Sequence, residues 1–223
     1  MEETGTAEWL SEAIKPWEVL EKSKLMDIYT LTAKDYDKIV HTLGALDQLI
    51  AAESTEACVP DKSAMIFDMG CGTGIVGKHL HKIGYTNIIG VDACEAMIEE
   101  ARKKECYSEL EVLFLGDIDN FPEKYKNRFD VITSCGLFTE GHLGPEHCDE
   151  MILSLKSGGF AIFTMRAEYV ESKGFQAKFD ELTEARKWEL VEAKEFMKYH
   201  NLTEEGIQQY KPQKGLCYIF KKL

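Results

Sequence analysis

The sequence predicts an α/β chain built on an open, mostly parallel sheet with helices on both faces. Three observations carry this. Residues 65–77, Met-Ile-Phe-Asp-Met-Gly-Cys-Gly-Thr-Gly-Ile-Val-Gly, pass from an apolar run through an acid into alternating glycines. Further short apolar runs follow at 88–91, 111–115 and 129–134, two of them ending at or near acids, Asp92 and Asp117. Between the runs, apolar residues recur at helical spacing, as in Val76, Leu80 and Ile83. Buried strands alternating with helical stretches are the pattern of βαβ units and a parallel sheet.

Along the chain, residues 1–23 are charged, with Trp9, Leu10, Ile14, Trp17 and Leu20 at roughly helical spacing. They read as a short amphipathic arm or lid, broken near Pro16. A helix is predicted over about 35–53, where Tyr36, Ile39, Val40, Leu43, Leu46, Leu49 and Ile50 form one apolar stripe. A polar loop at 53–62 leads to the strand at 65–69, short and apolar enough to be buried on both faces. Gly70, Gly72 and Gly74 then suit a tight turn where backbone meets a ligand, because they lack a Cβ. After the strand at 129–134, Ser157-Gly158-Gly159 turns into a fifth strand. A helix over about 174–186 precedes two runs, 188–199 and 215–222, whose alternation (Leu190, Val191 and Phe196 against Leu216, Tyr218 and Phe220) predicts an antiparallel pair.

The glycine spacing separates two nucleotide-binding families. A dinucleotide fingerprint wants glycines at positions one, three and six of the turn; here they fall at one, three and five, and position six is Ile75. The form Asp68-x-Gly70-x-Gly72-x-Gly74 resembles the first motif of class I S-adenosylmethionine-dependent methyltransferases. So does Asp92-Ala93-Cys94-Glu95-Ala96-Met97-Ile98-Glu99-Glu100-Ala101, with Cys94 where that family usually has a serine. Gly116-Asp117-Ile118 and the turn at 155–164 continue the resemblance in the same order. More loosely, Gly77-Lys78-His79-Leu80-His81-Lys82-Ile83-Gly84-Tyr85 and Gly141-His142 are similar to the small methyltransferase-like family encoded in the Williams–Beuren region.

This resemblance implies a Rossmann-like class I methyltransferase fold. Its sheet would have seven mostly parallel strands ending in an antiparallel C-terminal hairpin, with a helical arm at 1–34 and the methyltransferase domain at 35–223. It implies S-adenosyl-L-methionine as cofactor and S-adenosyl-L-homocysteine as product. The glycine turn, Gly70, Cys71, Gly72, Thr73 and Gly74, would face the methionine portion, its carboxylate near the following helix N-terminus. Asp68 is expected to brace that turn through backbone amides. Asp92 would take the ribose hydroxyls, Ala93 and Met97 would also contact the cofactor, and Asp117 and the Ile118 amide would meet the adenine. Cys135 would lie beside the crevice, and Tyr36 either over the methionine end or within its helix stripe.

Composition narrows the partners. The 39 acidic residues against 26 Lys plus Arg give a formal charge of −13, and nucleic-acid surfaces advertise themselves as basic stripes. The best local basic cluster, Arg102-Lys103-Lys104, sits with Glu99, Glu100 and Glu105, the pattern of a solvated helix face. Nucleic acid is therefore not expected as substrate. No apolar run reaches the ~18 residues of a membrane span, and Met1-Glu2-Glu3-Thr4 lacks a signal peptide's basic-then-apolar plan. Seven cysteines without a Cys-x-x-Cys pair fit reduced thiols in the cytoplasm, with the nucleus left open.

A sulfonium methyl is already activated, so this chemistry needs alignment and water exclusion rather than a protein nucleophile or a metal. His142 is the candidate general base, with Glu140 beside it, and Phe138, Arg166 and Glu168 are expected on the acceptor side. His147 and Cys148 adjoin in sequence, and His79 and His81 face different sides of a helix, so no metal is expected. The absence of an Asn/Asp-Pro-Pro-Tyr motif at 134–137 and of any protein-recognition module favours a small-molecule acceptor; a protein substrate stays open. Two other readings compete. One is a cofactor-binding sensor or partner-binding module without robust catalysis. The other is a nicotinamide-dependent oxidoreductase, against which Ile75 and the C-terminal hairpin both argue.

Overall fold

The computed structural model describes Trp9 and residues 24–139, 141–199 and 213–223. Most of the expected N-terminal arm, including Leu10, Ile14, Trp17 and Leu20, lies outside the described residues, as does Glu140. The first described helix is α1, Leu25–Thr32. Two helices follow where one is predicted: α2, Tyr36–Leu43, and α3, Asp47–Cys58. The apolar stripe is continuous in sequence, but Gly44 takes a left-handed φ of 68°. Its N–H and that of Ala45 return to His41 O and Val40 O at 3.0 and 3.1 Å, a glycine C-terminal cap that ends the first helix.

Seven strands form one sheet in the order β3-β2-β1-β4-β5-β7-β6. They are β1 Ile66–Met69, β2 Ile88–Asp92, β3 Glu109–Val112, β4 Phe129–Phe138, β5 Leu155–Arg166, β6 Trp188–Lys198 and β7 Gln213–Lys222. The first five run parallel, and β7 is antiparallel to both β5 and β6. The expected hairpin forms, with Leu190 opposite Phe220 and Glu195 opposite Leu216. Helices α4 (Ile75–Lys82), α5 (Glu95–Arg102), α6 (His147–Ser154), α7 (Tyr169–Ser172) and α8 (Phe175–Glu184) fill the crossovers.

Every β1 side chain is fully buried, because successive residues point to opposite, equally covered faces. Ile66 joins Leu80, Tyr85, Val131 and Ile219 on one side. Phe67 joins Phe129, Phe163, Trp188 and Phe220 on the other, where the Trp188 and Phe220 rings stack at 4.0 Å. Strand order reverses between β1 and β4, and the crevice beyond their carboxyl ends is where ligands bind in such sheets.

Three strands differ from expectation. Strand β3 occupies Glu109–Val112 rather than 111–115, since its ladder stops opposite Asp92 where β2 ends. Leu113 to Leu115 are thereby released toward the crevice. Strand β4 continues past Ser134 to Phe138 through a register shift that includes Gly136 at φ 80°, a bulge of the kind found beside active sites. The glycine turn at 157–159 is absorbed into β5 as a second shift, Phe129 opposite Leu155 but Val131 opposite Phe160.

Gly77, inside α4, faces the Tyr107 ring, and a Cβ there would stand 2.2 Å from it. Tyr107 is pinned through its hydroxyl to Asp68 at 2.6 Å and cannot swing aside without losing that bond. Gly77→Ala is expected to destabilise by about 1–3 kcal/mol, overpacking outweighing the gain in helix propensity. A lowered urea midpoint with unchanged m-value would register it.

Candidate active site

The crevice is assembled from the tips of β1, β2 and β4. Gly70, Gly72 and Gly74 all have positive φ (73°, 53° and 86°), which only glycine adopts at little cost. Gly70 and Cys71 donate their N–H groups to Val91 O at 2.8 and 2.9 Å, tying the turn to β2. The Asp92 carboxylate completes that tie: Oδ2 accepts Gly72 N–H and Oδ1 accepts Cys94 N–H, both at 2.9 Å. Burial raises the Asp92 pKa, and the bonds from backbone amides of Cys94, Gly72 and Ala93 oppose the rise. Cys94 makes no side-chain cap to α5, as expected of a thiol in the serine position.

Asp68 braces the turn, though not through backbone amides. Its buried carboxylate accepts from Tyr107 Oη at 2.6 Å and Thr133 Oγ1 at 2.9 Å. The Tyr107 hydroxyl in turn accepts Gly77 N–H at 3.2 Å, so one chain of bonds links β1, β4 and α4. Desolvation pushes the Asp68 pKa up to about 6, against the pull of those two donors. A second brace holds the far side. Thr73 Oγ1 donates to Asp37 Oδ1 at 2.5 Å, and Lys104 Nζ reaches Thr73 O at 2.5 Å and Asp37 Oδ2 at 2.8 Å.

These braces frame a cavity of about 340 Å³ lined by Tyr36, Gly70, Gly72, Asp92, Ala93, Met97, Cys135 and His142. Of the other expected contacts, Asp68, Cys71, Thr73 and Gly74 lie in or under the turn without lining it. Asp117 and Ile118 do not border the cavity. The Asp117 carboxylate instead caps a short turn, accepting Asn120 Nδ2 at 2.8 Å, while Phe114, Leu115 and Gly116 form that wall. Glu150 fixes the wall from behind, its buried carboxylate accepting Gly116 N–H at 2.9 Å and Asp117 N–H at 3.1 Å. Burial of Glu150 is matched by His147, whose Nδ1 lies 2.5 Å from Oε2. His147 thus supports the wall rather than facing the crevice.

A second cavity of about 200 Å³ adjoins the first and shares Tyr29, Tyr36, Gly136 and His142 with it. At this shared wall the Tyr29 hydroxyl and His142 Nε2 form a hydrogen bond of 2.6 Å, their rings edge to face at 5.6 Å. The second cavity also takes Phe138, Arg166, Asp47 and Lys198. Glu168 is not part of its lining and pairs with Arg166 at 3.5 Å. Tyr29, Tyr107 and Glu150 carry no motif of their own, and the sequence did not single them out; Lys104, expected on a solvated helix face, lies beyond the end of α5 and is drawn in by Thr73 O and Asp37.

Residues 66–159 match the family model described as a methyltransferase domain. That match and the fold support the class I S-adenosylmethionine-dependent methyltransferase superfamily for this chain. It is 29% identical over 171 residues to human methyltransferase-like protein 27, covering 74% of this chain and 68% of that protein. It is 39% identical over 62 residues to bovine 18S rRNA (guanine-N(7))-methyltransferase, 27% of this chain and 21% of that one. Its fold is similar to that of a TehB-like methyltransferase from Corynebacterium glutamicum, with a TM-score of 0.58, 22% identity, 86% of this chain and 98% of that one covered. The protein is an S-adenosylmethionine-dependent methyltransferase.

The first cavity of this methyltransferase fits the cofactor by an observation independent of the motif. A Cβ on Gly72 or Gly136 would meet no protein atom within 4 Å, although both glycines line the cavity. The space that side chains would take there is left open for a ligand, beside the Asp92 carboxylate as hydroxyl acceptor.

Because the Asp68 pKa is about 6 in the fold against 3.8 as its ordinary value, the native state binds more protons between those limits. The contribution of Asp68 to stability therefore falls as pH rises from about 4 to about 6 and levels off above. In Asp68→Asn that contribution vanishes, so the unfolding free energy of the variant relative to the parent, measured by urea, is expected to rise between pH 4.5 and pH 7.

Proposed function

We propose that this methyltransferase acts on a small-molecule acceptor seated in the second cavity. The observation that carries the reading is the wall of Tyr29, Tyr36, Gly136 and His142 common to both cavities. Two ligands placed one on each side meet there and nowhere else along the lining. In this reading Gly70, Gly72, Asp92, Ala93 and Met97 hold S-adenosylmethionine, with Cys135 and Phe114 against its nucleoside portion. The bound cofactor supplies a methyl group already activated on a sulfonium.

The chain's own residues supply the rest. The glycine turn, held by Asp92 and by the Asp68–Tyr107 chain, presents backbone rather than side chains to the methionine portion. Tyr29 and Tyr36 close the crevice against water, so α1, the described part of the expected arm, acts as a lid on the 35–223 domain. The proton that the acceptor loses goes to the pair formed by His142 and Tyr29, whose 2.6 Å hydrogen bond between Nε2 and the phenol oxygen also holds the imidazole in place. General-base assistance of this kind is worth about 10²–10⁴ in rate. A cavity near 200 Å³ suits a metabolite better than a folded nucleic acid, and the formal charge of −13 weighs the same way. Free cysteines fit the cytosol or nucleus, and no helix among the described residues is long and apolar enough to cross a membrane.

Calorimetry with S-adenosylhomocysteine is the first test. Binding is expected, with Asp92→Asn weakening it by about tenfold or more through the loss of charged acceptors. Absence of heat with the parent protein would overturn the cofactor assignment. Once an acceptor is found by screening metabolites for S-adenosylhomocysteine release, His142→Gln is expected to lower kcat by about 10²-fold or more. Undiminished turnover in His142→Gln would remove the base assignment.

A further inference from the structure

Resting on the two-cavity reading above, we infer that the acceptor is a small carboxylic acid, gripped by Arg166, that presents a hydroxyl or amine to His142. The argument is one of charge and placement. Among the described residues, the charged groups lining the second cavity are Asp47, Lys198 and Arg166. The first two neutralise each other: both are buried, and Lys198 Nζ lies 2.5 Å from Asp47 Oδ1. Arg166 is left as a net positive charge in a cavity of a chain whose formal charge is −13.

The partners Arg166 does have are weak for a guanidinium that is only 20% exposed. Its Nη1 meets the Tyr169 hydroxyl at 3.3 Å, and Tyr199 contributes a further neutral hydrogen bond. Among the described residues the carboxylate beside it is Glu168 at 3.5 Å, itself 63% exposed, and such solvated pairs contribute little. A guanidinium carries five donors in a planar fork that matches a carboxylate at two points. Partial burial makes the missing anion costly to forgo and strengthens its attraction when present.

Position then fixes the orientation. Arg166 borders only the second cavity, whereas His142 borders both. An acid anchored at Arg166 directs its far end to the shared wall, and Val40, Leu43, Phe138 and Tyr36 between them fit a planar apolar body. In the transfer, the acceptor oxygen or nitrogen forms a bond to the methyl carbon as the carbon–sulfur bond breaks. The electron pair of that bond returns to sulfur, leaving a neutral thioether, and the acceptor's proton goes to the Tyr29–His142 pair.

The test uses the full chain and calorimetry, with and without saturating S-adenosylhomocysteine. The probes are 4-hydroxybenzoate, 4-aminobenzoate and 4-hydroxyphenylacetate, each beside its neutral amide. At least one acid is expected to bind about tenfold or more tighter than its amide, the range of a hydrogen bond to a charged group. In Arg166→Gln the acid and amide should bind within about threefold of each other, and Arg166→Lys should fall between. Retained S-adenosylhomocysteine binding shows that either variant is folded, since Arg166 is outside the first cavity. If no acid outbinds its amide, or if the preference survives in Arg166→Gln, the proposal is overturned while the cofactor reading stands. Loss of S-adenosylhomocysteine heat in the parent protein would strike the cofactor reading alone, because the acid–amide comparison is also made without it.

Discussion

The buried carboxylate of Asp68 is the point on which the crevice turns. It sits at the centre of the sheet with no exposure to water, where a charge is tolerated only if its acceptor sites are filled. Thr133 from the adjoining strand and Tyr107 from beyond α5 fill them, and Tyr107 extends the chain to the α4 backbone. Close helix-to-strand packing, which dinucleotide-binding folds obtain from a third glycine in the turn, is obtained here two residues later at Gly77 under the Tyr107 ring. Gly90 plays the matching part in β2, where a Cβ would lie 2.8 Å from the same ring. The turn can be open toward solvent because it is tightly filled beneath.

How much of this was legible depends on how local each feature is. The strand-to-glycine turn, Asp92 and the antiparallel end of the sheet could be read because their signals lie within a few residues of one another. The break between α2 and α3 had a local signal too, Gly44, but a stripe of apolar residues running across it concealed a glycine cap. The displaced β3 could not be read, since its end is set by where β2 stops and not by its own apolarity. Tyr107 and Glu150 were invisible, and Lys104 was read only as part of a solvated basic face, for a further reason. Each acts on a partner 30 or more residues away in sequence, and no spacing rule encodes such a pairing. Asp117 shows the converse: a motif acid whose side chain is already engaged by Asn120.

The two cavities differ in what builds them. Around the first, five glycines and apolar side chains such as Met97, Phe114, Leu115 and Leu137 surround Asp92, whose carboxylate holds the turn's backbone in shape. Around the second, side chains from α2, α3, β5 and β6 form the lining, with Asp47 and Lys198 paired and Arg166 carrying the remaining charge. Tyr29 and His142 belong to both, bonded across 113 positions of sequence. Geometry at the meeting point is therefore set by α1 and the loop after β4 jointly, and neither alone orients the imidazole.

The interruption at Gly44 divides the labour of two neighbouring acids. Asp37, ahead of it, steadies the glycine turn through Thr73, while Asp47, behind it, faces the second cavity paired with Lys198. A cap of one residue thus sends carboxylates ten positions apart to the frames of two different cavities.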